Sequence, residues 1–365
     1  MKRPLSIPAL FFIIFFVLPC VVQADEIPAE TVTTMKAEVV EILLSETKQV
    51  PGTDMHGDYQ TITAKILEGN EEGKIVTIKN DYLTLAQGEK FYAQHTINSL
   101  DSVDRYDAIE PYRLRSLGLL LLLFLLVLFS FGGKQGFRGL LSLCASFAFI
   151  AFALLPGIMQ GYSPVLVSMI VSGVIIVCGS YITHGVNKTT SSAVVGMLLT
   201  MLITGIIATS AITFTRLSGT SGHETFYLQM NTQGHLDLSG LLLGGMLIGL
   251  LGVLYDAAIG QAVAIEELLA VAGQQSRRYV FERALRIGRE HIGALVNILA
   301  IAYTGTALPL LLLYYSSGSG SLLMTINGEI FATEIVRILI GSIGLILAVP
   351  ITTVVAMFML HPRRA

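Results

Sequence analysis

The sequence predicts an α-helical polytopic membrane protein of about seven spans behind a signal peptide, with a small extracytoplasmic β domain near its N-terminus. Three observations carry this. Only 13% of the 365 residues are charged while 53% are apolar, about half the solvating charge of a soluble domain. From residue 114 onward, apolar runs with few charges recur at lengths that cross a bilayer. Before them, residues 25–112 are polar and alternate with a period near two. The net charge of −3 and the absence of a basic block argue against a nucleic-acid partner. The implied partner is the lipid bilayer, with a small solute or ion, a second copy or an envelope protein as further candidates.

The first 24 residues follow the pattern of a secretory leader. Lys2 and Arg3 give the positive start, Ile7–Val22 the apolar stretch, and Val22-Gln23-Ala24 a small-residue cleavage site. An uncleaved anchor helix leaves the same topology. Pro19 before Cys20 fits a lipid-anchor site poorly. The other cysteines, Cys144 and Cys178, fall in expected spans, so the exported part folds without disulfides.

Residues 25–112 form the expected β-rich domain. The stretches "MKAEVVEILL", "YQTITAKIL", "KIVTIKN" and "EKFYAQHTI" read as strands, separated by turn-like "EGNEEGK" and "QGEK". Four to six strands in a small sheet or barrel are expected.

Residues 113–365 form the multi-span domain. The candidate spans are Leu114–Gly132, Phe137–Ile158, Pro164–His184, Ser192–Phe214, Leu238–Ile259, Ile292–Tyr315 and Ile335–Leu360. With residues 25–112 outside, Lys134, Arg138, Lys188, the arginines between 277 and 289, Arg363 and Arg364 all fall inside, and the outer connections keep only Arg216. The positive-inside rule then puts the C-terminus in the cytoplasm of a cell (inner) membrane. Neither a solenoid period nor an inverted repeat stands out along the chain.

The chemistry is expected in the fifth and sixth spans. On a helix Asp256, Gly260, Val263 and Glu267 share one stripe, while Gln261 and Glu266 point elsewhere. A carboxylate in a span is costly, about 2.5–3.5 kcal/mol at the bilayer centre, and marks a functional position by default. The competing reading ends the span at Tyr255 and leaves Asp256 among headgroups. In the sixth span Gly293, Asn297 and Thr304 fall near one face, and an asparagine both donates and accepts hydrogen bonds. If the two spans pack antiparallel, Asp256 and Asn297 sit at similar depth and meet in a wet pocket. The competing role is interhelical glue, worth about 0.6 kcal/mol. Pro309 is expected to break the sixth helix.

Between these spans, "AGQQSRRYVFERALRIGREH" reads as a basic amphipathic segment lying on the inner membrane surface. The outer loop carries His223, Glu224, His235 and Asp237 without a recurrent zinc spacing. Glu334 and Arg337 read as a local ion pair. Neither a catalytic motif nor a cofactor-binding motif is found, so neither an enzyme nor a cofactor is expected.

Two stretches carry a resemblance: "GVLYDAAIGQAVAIEEL" (252–268) and "GREHIGALVNILAIAYTGTALPLLLL" (288–313). They resemble the bacterial YibE/F-like membrane proteins, over most of residues 35–360. The resemblance implies an exported β-rich part before a multi-span part. It falls on Asp256, Glu267, Gly288, Arg289, Gly293, Asn297, Gly305 and Pro309. Tyr255 departs from the small or flexible residue the pattern implies. The family implies no substrate. The residues therefore leave a transporter or channel, possessing an intramembrane polar site centred on Asp256 and Asn297, against a non-catalytic scaffold whose exported domain binds an envelope partner.

Overall fold

The computed structural model describes residues 30–49, 56–81, 83–98, 103–272, 276–317 and 321–360. The leader therefore lies outside the described residues. The chain divides into two compact units, one ending at Phe124 and one beginning at Leu125.

In the first unit five strands form one antiparallel sheet: β1 (Glu30–Gln49), β2 (His56–Ile66), β3 (Ile75–Asn80), β4 (Lys90–Asn98) and β5 (Val103–Pro111), in the order β3-β2-β1-β4-β5. β1 serves two partners, β4 along its first half and β2 along its second. Register shifts between Val39 and Glu41 and between Ile42 and Leu44 interrupt its pairing with β2, and such bulges bend a strand. The sheet thereby curls into a half-barrel, the layout of a small, partly open Greek-key barrel. Its two edges are drawn together by Lys74 and Glu71, ahead of β3, which both bond the Tyr106 hydroxyl on β5. Alternate residues fill the interior, with Phe91, Ile62, Ile66 and Ile78 fully buried. The sequence reading did not name β5. Asp104, Arg105, Asp107 and Glu110 crowd its nine residues and mask the alternation.

The helical unit contains the apolar helices. α1 (Leu114–Phe149) passes through a π turn (Ile150–Leu154) into α2 (Leu155–Met159). Within α1, Gly133 adopts φ 49° and ψ −134°, a combination that residues with a Cβ rarely adopt, and it breaks the helix between the first two expected spans. There follow α3 (Pro164–His184), α4 (Lys188–Thr215), the short α5 (His223–Asn231), α6 (Leu238–Val271), α7 (Arg277–Thr306), α8 (Leu308–Ser317), α9 (Leu322–Asn327) and α10 (Glu329–Met359). Among the described residues five helical stretches are long and apolar enough to cross a membrane, and α7 with α8, bent by 59° at a break, would make a sixth if the pair is one span. The bend falls at Ala307, two residues before Pro309, whose ring cannot continue the hydrogen-bond ladder.

Two elements extend further than expected. α6 does not end near Ile259 but continues to Val271, so Asp256 and Glu267 lie on one unbroken helix. The basic segment is not a separate surface helix. Capped by Ser276, whose Oγ accepts from the Tyr279 N–H, it is the first half of α7 and runs straight into the span. Its buried side, Val280, Ala284 and Gly288, packs inward while its arginines remain exposed. Arg277 donates to the carbonyls of Met357 and Leu360 at 2.8 and 3.2 Å, satisfying the C-terminal end of α10.

Candidate functional site

The outer side of α6 carries the predicted stripe. Asp256, Gly260, Val263 and Glu267 are all exposed, whereas Leu254, Ala257, Ala258 and Gln261 between them are buried. On α7 Gly293, Asn297 and Thr304 are likewise exposed. A side chain added at Gly252, Gly260 or Gly293 would meet nothing within 4 Å. The structure thus puts the predicted polar residues at exposed positions of two helices that pack on each other. Among the described residues no hydrogen bond or ion pair joins Asp256 to Asn297, and both are exposed. Asp256 lies about 27 Å along the helix axis from Leu238, a distance close to the roughly 30 Å thickness of a hydrocarbon layer. Glu267 lies about another three turns beyond it.

Glu266 faces the opposite way and accepts a hydrogen bond from Thr189 Oγ1 at 2.7 Å, tying α6 to the start of α4. Tyr255, the departure from the expected pattern, donates from its hydroxyl to the Gly179 carbonyl at 3.1 Å and so fastens α6 to α3.

The centre that the sequence reading missed is Gln261. Buried to 4% exposure, its Nε2 donates to the Ala284 carbonyl at 2.9 Å and to Thr353 Oγ1 at 2.8 Å. One amide thereby joins α6, α7 and α10. Gly288 makes room for it: a Cβ there would lie 2.3 Å from Val349 Cγ1 and 2.8 Å from Gln261 Oε1. Gly288 is a close-approach position, while Arg289, Gly293, Gly305 and Pro309 of the same predicted set are exposed. The missed signal was the i,i+4 register Ala257, Gln261, Ile265, which puts an amide among apolar residues on the buried face.

A family model for YibE/F-like protein matches residues 120–362. The chain belongs to the YibE/F-like family. The match runs from Leu120 on α1 to just past the end of α10 and leaves out the sheet, so the family pattern reaches less of the chain than the resemblance implied. Comparison with curated proteins and with solved structures returned no match. Within this YibE/F-like region both stretches that carried the resemblance are helical, one on α6 and one on α7 and α8.

The sheet unit has a polar centre of its own. His95, 6% exposed, stacks on Tyr106 with ring centroids 4.1 Å apart. Its Nε2 lies 2.5 Å from Asp104 Oδ1 and its Nδ1 3.4 Å from Glu71 Oε2. Tyr106 donates to Glu71 at 2.6 Å and Lys74 to Glu71 at 2.8 Å. The Lys74 hydrogen bond first, and the Tyr106 hydroxyl second, hold the Glu71 carboxyl below its ordinary range. Nearby, Lys79, Asn80, Asp81, Gln94, Arg105 and Asp107 line a shallow polar pocket of about 270 Å³. Among the described residues no group of three His, Cys, Asp or Glu side chains is placed to hold a metal ion.

Proposed function

We propose that this YibE/F-like chain moves a small solute or ion across the cell (inner) membrane, using the polar face of α6 and α7. The observation that carries the reading is the outward placement of Asp256, Gly260 and Asn297 on two neighbouring helices. Lipid tails cannot hydrate a carboxylate or an amide. That face therefore meets water or another protein, and the open glycines leave room for either. The reading includes proton-coupled movement, with the Asp256 carboxylate as the group on which it depends. In this reading α1 crosses twice, about Gly133, giving seven spans with residues 25–112 outside and the arginine-rich start of α7 in the cytoplasm.

A second reading is favoured by the sheet unit: a scaffold that captures an envelope component in the pocket lined by Lys79, Gln94 and Arg105. The two separate cleanly. Reconstituted protein that drives flux, and loses it in Asp256→Asn and Asn297→Ala, supports transport. A stable stoichiometric partner, lost on deletion of residues 25–112, with no flux from the full chain, supports the scaffold.

A further inference from the structure

α4 and α10 contain the same pattern. "GMLLTMLITGIIA" at 196–208 and "GLILAVPITTVVA" at 344–356 agree at Gly196/Gly344, Leu199/Leu347, Ile203/Ile351, Thr204/Thr352 and Ala208/Ala356. Apolar helices share such matches readily, so the geometry decides. The buried positions of one segment are the buried positions of the other throughout. The two also pack on each other reciprocally. A Cβ at Gly196 would lie 2.5 Å from Thr352 Oγ1, and a Cβ at Gly344 would lie 2.8 Å from Thr204 Oγ1. Glycine of each helix receives threonine of the other, which requires the helices to run antiparallel about a local two-fold axis near Thr200 and Ala348.

The two threonines share a second property. Many hydroxyls on these helices bond back to the carbonyl four residues earlier, as Thr200 does to Gly196 and Thr353 to Val349. Thr204 and Thr352 do not. Both are fully buried, and neither Oγ1 has a hydrogen-bond partner among the described residues. Their hydroxyls are turned across the seam toward the opposite glycine. Ser172 on α3 and Thr333 on α10 are likewise without a partner among the described residues. A buried hydroxyl without a partner in a native structure calls for an explanation.

We propose that α4 and α10 form an inverted-topology repeat, and that Thr204 and Thr352 are its two equivalent stations, which hydrogen-bond a small uncharged solute crossing the bundle. Inverted repeats characteristically hold their sites near the membrane midplane, between the repeats. The stations are about 12 Å apart along the helices, one on each side of the axis. The solute is uncharged because every buried polar side chain described in the helical unit is Ser, Thr or Gln, and an ion there would lose its hydration without a counter-charge. Rocking of α10 against α4 exposes one station at a time. This goes beyond the transport reading, which uses the outer face of α6 and α7, and access to the seam is measurable without it.

The experiment uses full-length protein in liposomes with its native cysteines replaced by serine. Thr204→Cys and Thr352→Cys are treated with uncharged methyl methanethiosulfonate and with its trimethylammonium analogue, beside Leu247→Cys and Leu345→Cys as buried controls. Labelling of both threonine positions by the uncharged reagent alone, with the controls unlabelled, is the expected result. No labelling at either position overturns the site and leaves the hydroxyls as packing. Labelling by both reagents overturns the uncharged class. If a cysteine variant does not fold, Thr204→Val and Thr352→Val replace it. Urea entry above the protein-free rate, lost in both variants, supports the proposal, and urea entry that is never raised or survives both variants contradicts it. Asp256 takes no part in the labelling, so failure here and failure of the transport reading are told apart.

Discussion

The helical unit has two polar surfaces of opposite character. Along the α4–α10 seam the polar side chains are neutral hydroxyls, fully buried and set against glycines. Across the outer side of α6 and α7 the polar groups include carboxylates and an amide, all exposed and beside glycines that touch nothing. The difference follows from solvation. A hydroxyl left unpaired in an apolar interior costs a few kcal/mol, whereas an isolated charge there costs far more. Charge is therefore kept where water or a partner reaches it, and the interior is made polar only with groups it tolerates.

The largest test of this division moves a charge inward. Thr352→Asp is expected to destabilise the bundle by about 3 kcal/mol or more, read as loss of the monodisperse folded fraction in detergent. Asp256→Asn on the outer side leaves that fraction unchanged.

Glycine substitutions sharpen the same contrast within a single helix. Gly288→Ala drives a methyl into Val349 and Gln261, and overpacking of this kind costs about 1–3 kcal/mol. Gly293→Ala, on the exposed side of the same helix, is expected to be neutral or stabilising by up to about 1 kcal/mol, the helix preference of alanine over glycine. Equal melting temperatures for the two variants would contradict the described packing of α7.

A smaller effect is expected at the buried amide. Gln261→Leu removes the bonds to Ala284 and Thr353, and interhelical hydrogen bonds of this type are worth about 0.6 kcal/mol on average, up to about 1.7. A thermal melt more stable than wild type would show that the amide opposes packing here.

The smallest effect lies in the sheet unit, where charge is buried only in part. Glu71 titrates below its ordinary value of 4.5. It therefore contributes stability above that pH and loses it as pH falls through the lowered value. The melting temperature of the sheet is expected to fall on acidification in wild type and to fall less in Glu71→Gln.

Much of this was legible from residue type. The long apolar runs announce the helices, alternation announces four of the five strands described, and the spacing from Asp256 to Glu267 predicts one helical face. Which way that face points was not legible. An amphipathic pattern reports a difference between two sides, and Asp256 with open glycines reads equally well as a cavity lining or as an outer surface. Gln261 was passed over because its partners, Ala284 and Thr353, are far away in sequence. The pairing of α4 with α10 was hidden for another reason. Its agreement rests on small and β-branched residues that any apolar helix contains, and only the reciprocal meeting of Gly196 with Thr352 and Thr204 with Gly344 gives it meaning.

The central claim is that the outer acid and amide serve movement across the membrane. Proteoliposomes carrying wild type, Asp256→Asn or Asn297→Ala, assayed for solute and proton flux across an imposed pH gradient, test it most directly. The account predicts flux with wild type and its loss in both variants, all three inserting equally. Flux that is unchanged in both variants, or absent from wild type, would contradict it.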